Sequence, residues 1–166
     1  MSEKEYFQQY MPGDVCFGCG ENNPAGLHIH SYWDNDQAIC HWQPQDIHQG
    51  WAGITCGGII ATLIDCHCMA TAMAHAKKLS GQALSAEPHY RFATGMLNIK
   101  YLKPTDNQKK LELRAWVTEV KYGRKFSLNC DVYIDGEKTV EANSVAFLVF
   151  RSDQPDQANP SFSNDA

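Results

Sequence analysis

The stretch Gly57-Gly58-Ile59-Ile60-Ala61-Thr62-Leu63-Ile64-Asp65-Cys66-His67-Cys68-Met69-Ala70-Thr71-Ala72-Met73-Ala74 is small or apolar on nearly every side. A segment of that length without a polar face reads as a helix buried inside a fold rather than lying on a surface. Its end is set by Lys77 and Lys78, whose charges suit the negative end of a helix dipole. Asp65 stands alone in the middle. A carboxylate there loses hydration at a cost of several kcal/mol unless something compensates. Either a hydrogen-bond network satisfies it, or its perturbed acidity is used for chemistry. The run is also long enough to span a bilayer, but Asp65, His67 and His75 would then lie in hydrocarbon, so a membrane span is not expected.

Working outward from this helix, the flanks alternate. Upstream, residues 27–32 and 37–42 read as two strands around the turn Asp34-Asn35-Asp36, followed by a loop over 43–56 that carries Pro44, Gly50 and Gly53. Downstream comes a polar segment, 80–91, and then a run of strands. Leu97, Ile99 and Tyr101 alternate with Asn98 and Lys100 until Pro104; Leu111, Leu113, Ala115 and Val117 follow. The cleanest period of two is Phe126, Leu128, Cys130, Val132 and Ile134. Asp135-Gly136 predicts a type I′ hairpin turn, and residues 139–150 return as the last strand. Hairpin-length connections imply an antiparallel sheet, and one helix against it makes an α+β domain. A single sheet face cannot cover a helix apolar all round, so a second subunit is expected to help bury it.

The ends carry less signal. Residues 1–14 read as an N-terminal arm, 15–151 as the domain, and 152–166, polar with Pro and Asn, as a disordered tail. At 166 residues the chain is one domain with room for a real core. A net charge of -5 argues against nucleic-acid binding, which normally requires a basic face. The start lacks the basic and apolar regions of a secretion signal, and seven cysteines, an odd number, fit a reducing compartment better than a disulfide scaffold. The expected location is the cytoplasm.

Cys16 and Cys19 form a C-x-x-C with His28 and His30 nearby, which invites zinc. A structural zinc site needs about four ligands, and no second such pair follows, so no metal is expected. Cys66, His67 and Cys68 are consecutive on a helix and point in different directions, which makes them poor joint ligands.

Several motifs, taken together, carry a resemblance across residues 15–150. They are His48-Gln49-Gly50-Trp51-Ala52-Gly53-Ile54-Thr55-Cys56-Gly57-Gly58 with Asp65 after it, Met96-Leu97-Asn98-Ile99-Lys100-Tyr101-Leu102-Lys103-Pro104, Tyr122-Gly123-Arg124-Lys125-Phe126, and Cys16-Phe17-Gly18-Cys19-Gly20 through Asn23-Pro24-Ala25-Gly26-Leu27. In order and spacing the chain resembles the hotdog-fold acyl-CoA thioesterases, especially the phenylacetic-acid-degradation and animal thioesterase-superfamily group. In that fold the sheet wraps around the helix. One departure is Cys56, where the family usually has His before the two glycines.

The resemblance implies hydrolysis of acyl-CoA thioesters to free acid and CoA, with no metal or redox cofactor. Asp65 becomes the general base or nucleophile, and the Gly57 amide at the helix N-terminus polarises the thioester carbonyl. Thr94 corresponds to a helper near the attacking water. For substrate binding it implies His48, Gly58 and Asn98, and cations able to reach CoA phosphates: Lys100, Lys103, Arg124 and Lys125. A homodimer, with pairing into a dimer of dimers open, shares the site across its interface. The alternative, which Cys56 slightly favours and Asp65 disfavours, is a non-catalytic hotdog module that binds acyl-CoA or a related ligand. A third option, hydration of an enoyl thioester, would want a His partner for the acid.

Overall fold

The computed structural model describes residues 4–11 and 15–154. Its centre is the expected helix, α1, Gly57–Leu79. Around it lies a six-stranded sheet built from β1 (Ser31–Asp34), β2 (Gln37–Trp42), β5 (Tyr90–Tyr101), β6 (Leu111–Lys121), β7 (Lys125–Ile134) and β8 (Glu137–Arg151) in the order β1-β2-β6-β7-β8-β5. Every pairing is antiparallel, as hairpin connections require. A small separate hairpin, β3 (Gln49–Trp51) with β4 (Ile54–Thr55), shapes the loop before α1. The alternation in β7 works as expected: Phe126, Leu128, Cys130 and Val132 are buried toward α1. Asp135 and Gly136 take φ of 49° and 79°, the signs that a type I′ turn demands.

Three expectations shift. Residues 27–30 are not a sheet strand. Leu27 and Ile29 are buried, but their amides donate to Phe17 and Gly18 carbonyls at 2.8 and 3.4 Å, so this segment lines an N-terminal loop. The strand expected from Leu97 begins at Tyr90, because a register shift between Thr94 and Met96 breaks its period of two. The arm is part of the core: Phe7 and Gln8, in a short 3-10 turn, are 0% and 1% exposed. The tail expected beyond 152 lies mostly outside the described residues.

α1 is long and apolar enough to cross a membrane by length and composition, yet here it packs on β5, β6, β7 and β8. Lys77 does more than complement the dipole. It is buried, and its ammonium donates to the carbonyls of Ala86 and Pro88, tying the helix end to the segment that leads into β5. His67 is satisfied by a buried chain of hydrogen bonds. Its Nε2 lies 3.1 Å from the Ala38 carbonyl, which can only accept, so Nε2 carries the proton. Nδ1 then accepts from the Ser31 hydroxyl at 2.8 Å, and Gln8 donates to that same oxygen at 3.0 Å.

Burial holds His67 at a pKa of about 4, below its ordinary 6.5. Between those values the unfolded chain takes up a proton that the folded chain refuses. Stability from this group is therefore complete above pH 6.5 and is lost as pH falls toward 4, on the order of 3 kcal/mol in all. Urea unfolding at pH 7.5 and 4.5 should show that loss in wild type and a smaller one in His67→Gln.

Sealing of α1 is incomplete on one stripe. Gly58 is exposed, and Thr62, Asp65 and Met69 are half-buried; they recur at helical spacing along a single face.

Candidate active site

The site is built where α1 meets β5. Residues of β5 that face the helix run antiparallel to it: Tyr101 reaches Gly57 at the helix start, and Thr94 reaches Asp65 two turns on. The bulge makes this possible. It lets Thr94 face the helix while Leu97 and Ile99, in odd register with it, also pack on the core. Gly95 allows the bulge to close, since a Cβ there would stand 2.2 Å from the Phe147 ring.

The Thr94 hydroxyl donates to Asp65 Oδ1 at 2.5 Å. Among the described residues no cation pairs with Asp65 and no main-chain group holds it. Burial pushes its pKa up and the Thr94 bond pulls it down, with the nearby Cys16 sulfur adding a smaller rise. The result is a carboxylate oriented by one donor and otherwise unspent. Thr94→Val removes a charge-assisted bond of about 1.5 kcal/mol that pulls the Asp65 pKa down, so the carboxyl should titrate higher in the variant than in wild type when followed by carbon-13 NMR.

At the helix start Cys56 is the N-cap, with φ -57° and ψ 130°, and no side chain caps the turn. Its amide donates to the His48 carbonyl at 2.8 Å, and Ile60 closes the first helical bond onto Cys56 at 3.1 Å. The amides of Gly57, Gly58 and Ile59 thus lead the positive end of the helix without a side-chain acceptor. The Tyr101 hydroxyl donates to the Gly57 carbonyl at 2.6 Å and fixes that peptide. Tyr101 is the contributor that the sequence reading passed over. The signal for it was its place on the same strand face as Leu97 and Ile99.

The remaining candidates scatter. His48 is buried beside Trp42, ring centroids 4.8 Å apart, and its Nδ1 accepts from the Gln45 amide at 2.9 Å, so it organises the loop that leads into α1. Asn98 and Lys100 lie on the sheet face away from the helix, where they line a shallow hollow of about 380 Å³ with Trp116, Asn129 and Asn143. Lys100 pairs there with Glu141 at 3.5 Å, and Lys103 pairs with Glu137. Arg124 and Lys125 sit at the β6–β7 turn. Lys125 is level with Phe147 and hence with Ala93, so these two cations stand at the height of Thr94, roughly 10 Å across the sheet. Within one chain Asp65 and Thr94 meet, Gly57 and Gly58 lie two turns away, and the lysines of β5 face elsewhere.

This architecture is shared with solved proteins. A thioesterase superfamily protein from Shewanella loihica PV-4 is 34% identical over 72% of this chain and 89% of its own, with a TM-score of 0.59. The PaaI protein of the E. coli phenylacetic acid degradation operon has a TM-score of 0.60 at 11% identity, over 75% of this chain and 81% of its own. The smu.793 protein of Streptococcus mutans UA159, solved bound to acetyl CoA, has a TM-score of 0.53 at 17% identity, over 72% and 87%. The latter two show the hotdog fold alone. No curated protein matches the chain in sequence. Residues 52–141 match the family model described as the thioesterase superfamily, the span that holds the helix, Asp65 and β5, β6 and β7. The chain is a hotdog-fold member of the thioesterase superfamily.

Proposed function

We propose that this protein hydrolyses acyl-CoA thioesters to the free acid and CoA. The observation that carries the reading is the half-buried Asp65 carboxylate on the open stripe of α1, held by the Thr94 hydroxyl and, among the described residues, by no cation. Asp65 drives attack on the thioester carbon, either by taking the proton of a water or by attacking directly. In either course the carbonyl oxygen gathers charge against the Gly57 amide and the carbon–sulfur bond breaks. After water attack the thiolate takes up the proton that Asp65 removed; after direct attack water cleaves the acyl-aspartyl anhydride and supplies the proton to the thiolate. Transfer of oxygen-18 from solvent into Asp65 during single turnover would mark the direct attack. The acetyl CoA seen with the smu.793 protein supports CoA as the carrier, and Arg124 and Lys125 are the cations best placed for its phosphates.

The acid and the amide of one catalytic pair come, in this proposal, from two chains. Gly57 and Asp65 are eight positions apart on one helix, a rise of about 12 Å, and project about 80° apart around its axis. One carbonyl cannot bridge that span and keep near-attack distances of about 3 Å. A second copy laid along β5 supplies the missing partner. β5 is a twelve-residue strand at the sheet edge, Met96 is exposed on it, and the half-buried stripe of α1 runs beside it. Long sheet edges are normally paired or covered. Seven thiols, none in a disulfide, support a cytoplasmic setting.

Release of free thiol from a panel of aryl and medium-chain acyl-CoAs tests the activity, and gel filtration with light scattering tests the dimer. Turnover of at least one ester by a dimer is the expected result. Binding of CoA esters with no turnover would favour the non-catalytic module instead.

A further inference from the structure

The N-terminal loop sets two cysteines on a third. Cys16 Sγ lies 3.5 Å from Cys66 Sγ, and the sulfurs of Cys16, Cys19 and Cys66 all fall within 4.8 Å of one another. Cys66 comes from α1, fifty residues away in sequence, immediately after Asp65. Glycine permits the approach. A Cβ on Gly18 would stand 2.4 Å from Cys66 Sγ and 2.9 Å from Thr62 Cγ2, so only a glycine lets the loop press onto the helix here. At Gly20 a Cβ would stand 2.4 Å from the Cys16 nitrogen, and the Gly20 amide instead donates to the Cys16 carbonyl at 2.9 Å. The loop is thereby wound around one sulfur, and the Gly18 amide points at Cys16 Sγ from 3.4 Å. An amide donor and neighbouring thiols favour the thiolate form, which is the form that binds metal.

We propose that Cys16, Cys19 and Cys66 form a three-thiolate site for a thiophilic divalent cation of the zinc class, with the fourth tetrahedral position taken by water or an exogenous ligand. Zinc–sulfur bonds of about 2.3 Å set tetrahedral sulfurs about 3.8 Å apart, within the range that these three already span. Thiolate ligands select zinc-type ions over magnesium or calcium. No fourth His, Cys, Asp or Glu atom joins the group among the described residues. Binding releases the thiol protons that remain and leaves every oxidation state unchanged. The ligand count that argued against zinc in the sequence lacked Cys66, because only the fold brings it to the C-x-x-C pair. Cys68, two residues on, turns instead toward Cys130 in the core. Occupied, the site clamps the N-terminal loop to α1 one residue from Asp65. The proposal stands apart from the acyl-CoA reading, and its test reads binding rather than turnover.

The full chain, reduced and stripped of metal, is titrated with Co²⁺ and then with Zn²⁺. One cobalt per chain is expected, with sulfur-to-cobalt charge-transfer absorption, tetrahedral ligand-field bands, and displacement by zinc. Cys66→Ser and, in the half-exposed loop, Cys16→Ser should each weaken binding by more than about 100-fold, beyond the loss typical of groups that only support a ligand. Cys56→Ser, outside the cluster, should bind as wild type does; circular dichroism checks that each variant is folded. Three results would overturn the site: no cobalt uptake by reduced wild type, uptake that survives both Cys16→Ser and Cys66→Ser, or loss of two hydrogens on air oxidation with a Cys16–Cys66 cross-link and no metal bound, which marks a redox pair instead.

Discussion

Asp65→Asn should lower turnover of acyl-CoA by about 1,000-fold, the middle of the range for loss of a positioned base. The substitution keeps the shape of the side chain, and the amide oxygen can still accept from the Thr94 hydroxyl, so the helix and β5 should pack unchanged. Removing a charge that burial disfavours should leave the melting temperature equal or raised. Binding of CoA esters should persist, because the carboxylate acts on the reacting carbon and not on the carrier. The loss should therefore appear in kcat with little change in KM. A variant that folds, binds and still turns over at the wild-type rate would remove Asp65 from the chemistry.

Gly57→Pro should cost about 100- to 1,000-fold through a different atom. Proline deletes the one amide assigned to the carbonyl oxygen, yet it is well tolerated at the first position of a helix, where that N–H has no helical acceptor. Cys56 already has ψ 130°, the extended conformation that a following proline demands. The ring would crowd Tyr101, since even a Cβ at Gly57 lies 3.4 Å from it, but that exposed side chain can yield. Gly57→Ala separates the two effects. It keeps the N–H, so it should retain most of the activity while meeting the same crowding. Kinetics of the pair, with circular dichroism to confirm the helix, isolates the oxyanion donor from packing.

What the sequence revealed follows from how local each signal is. α1 was legible because a long run of small apolar residues between two glycines and two lysines has few other physical solutions. β7 was legible because its alternation is unbroken, and the turn after it because Asp-Gly tolerates positive φ. The start of β5 was hidden by its bulge, where Phe92, Thr94 and Leu97 change parity although all three face the helix. Residues 27–30 alternate like a strand, yet their partners are the backbone of Phe17 and Gly18, which no period announces. Phe7 gave too little pattern for its burial to be foreseen. In the site, Asp65 stood out as a lone charge, and Thr94 came from resemblance, which the coordinates join at 2.5 Å. The contacts of Tyr101 with Gly57 and of Cys66 with Cys16 span 44 and 50 residues, and such pairings belong to the fold alone.

The central claim, a catalytic pair completed by two chains, is tested most directly by complementation. Asp65→Asn and Gly57→Pro chains carrying different tags are expressed together, and the mixed dimer is purified. If acid and amide come from opposite chains, that dimer holds one intact site and one doubly damaged site, and it should recover about half of wild-type turnover while each parent dimer stays near background. A mixed dimer no more active than its parents would contradict the account.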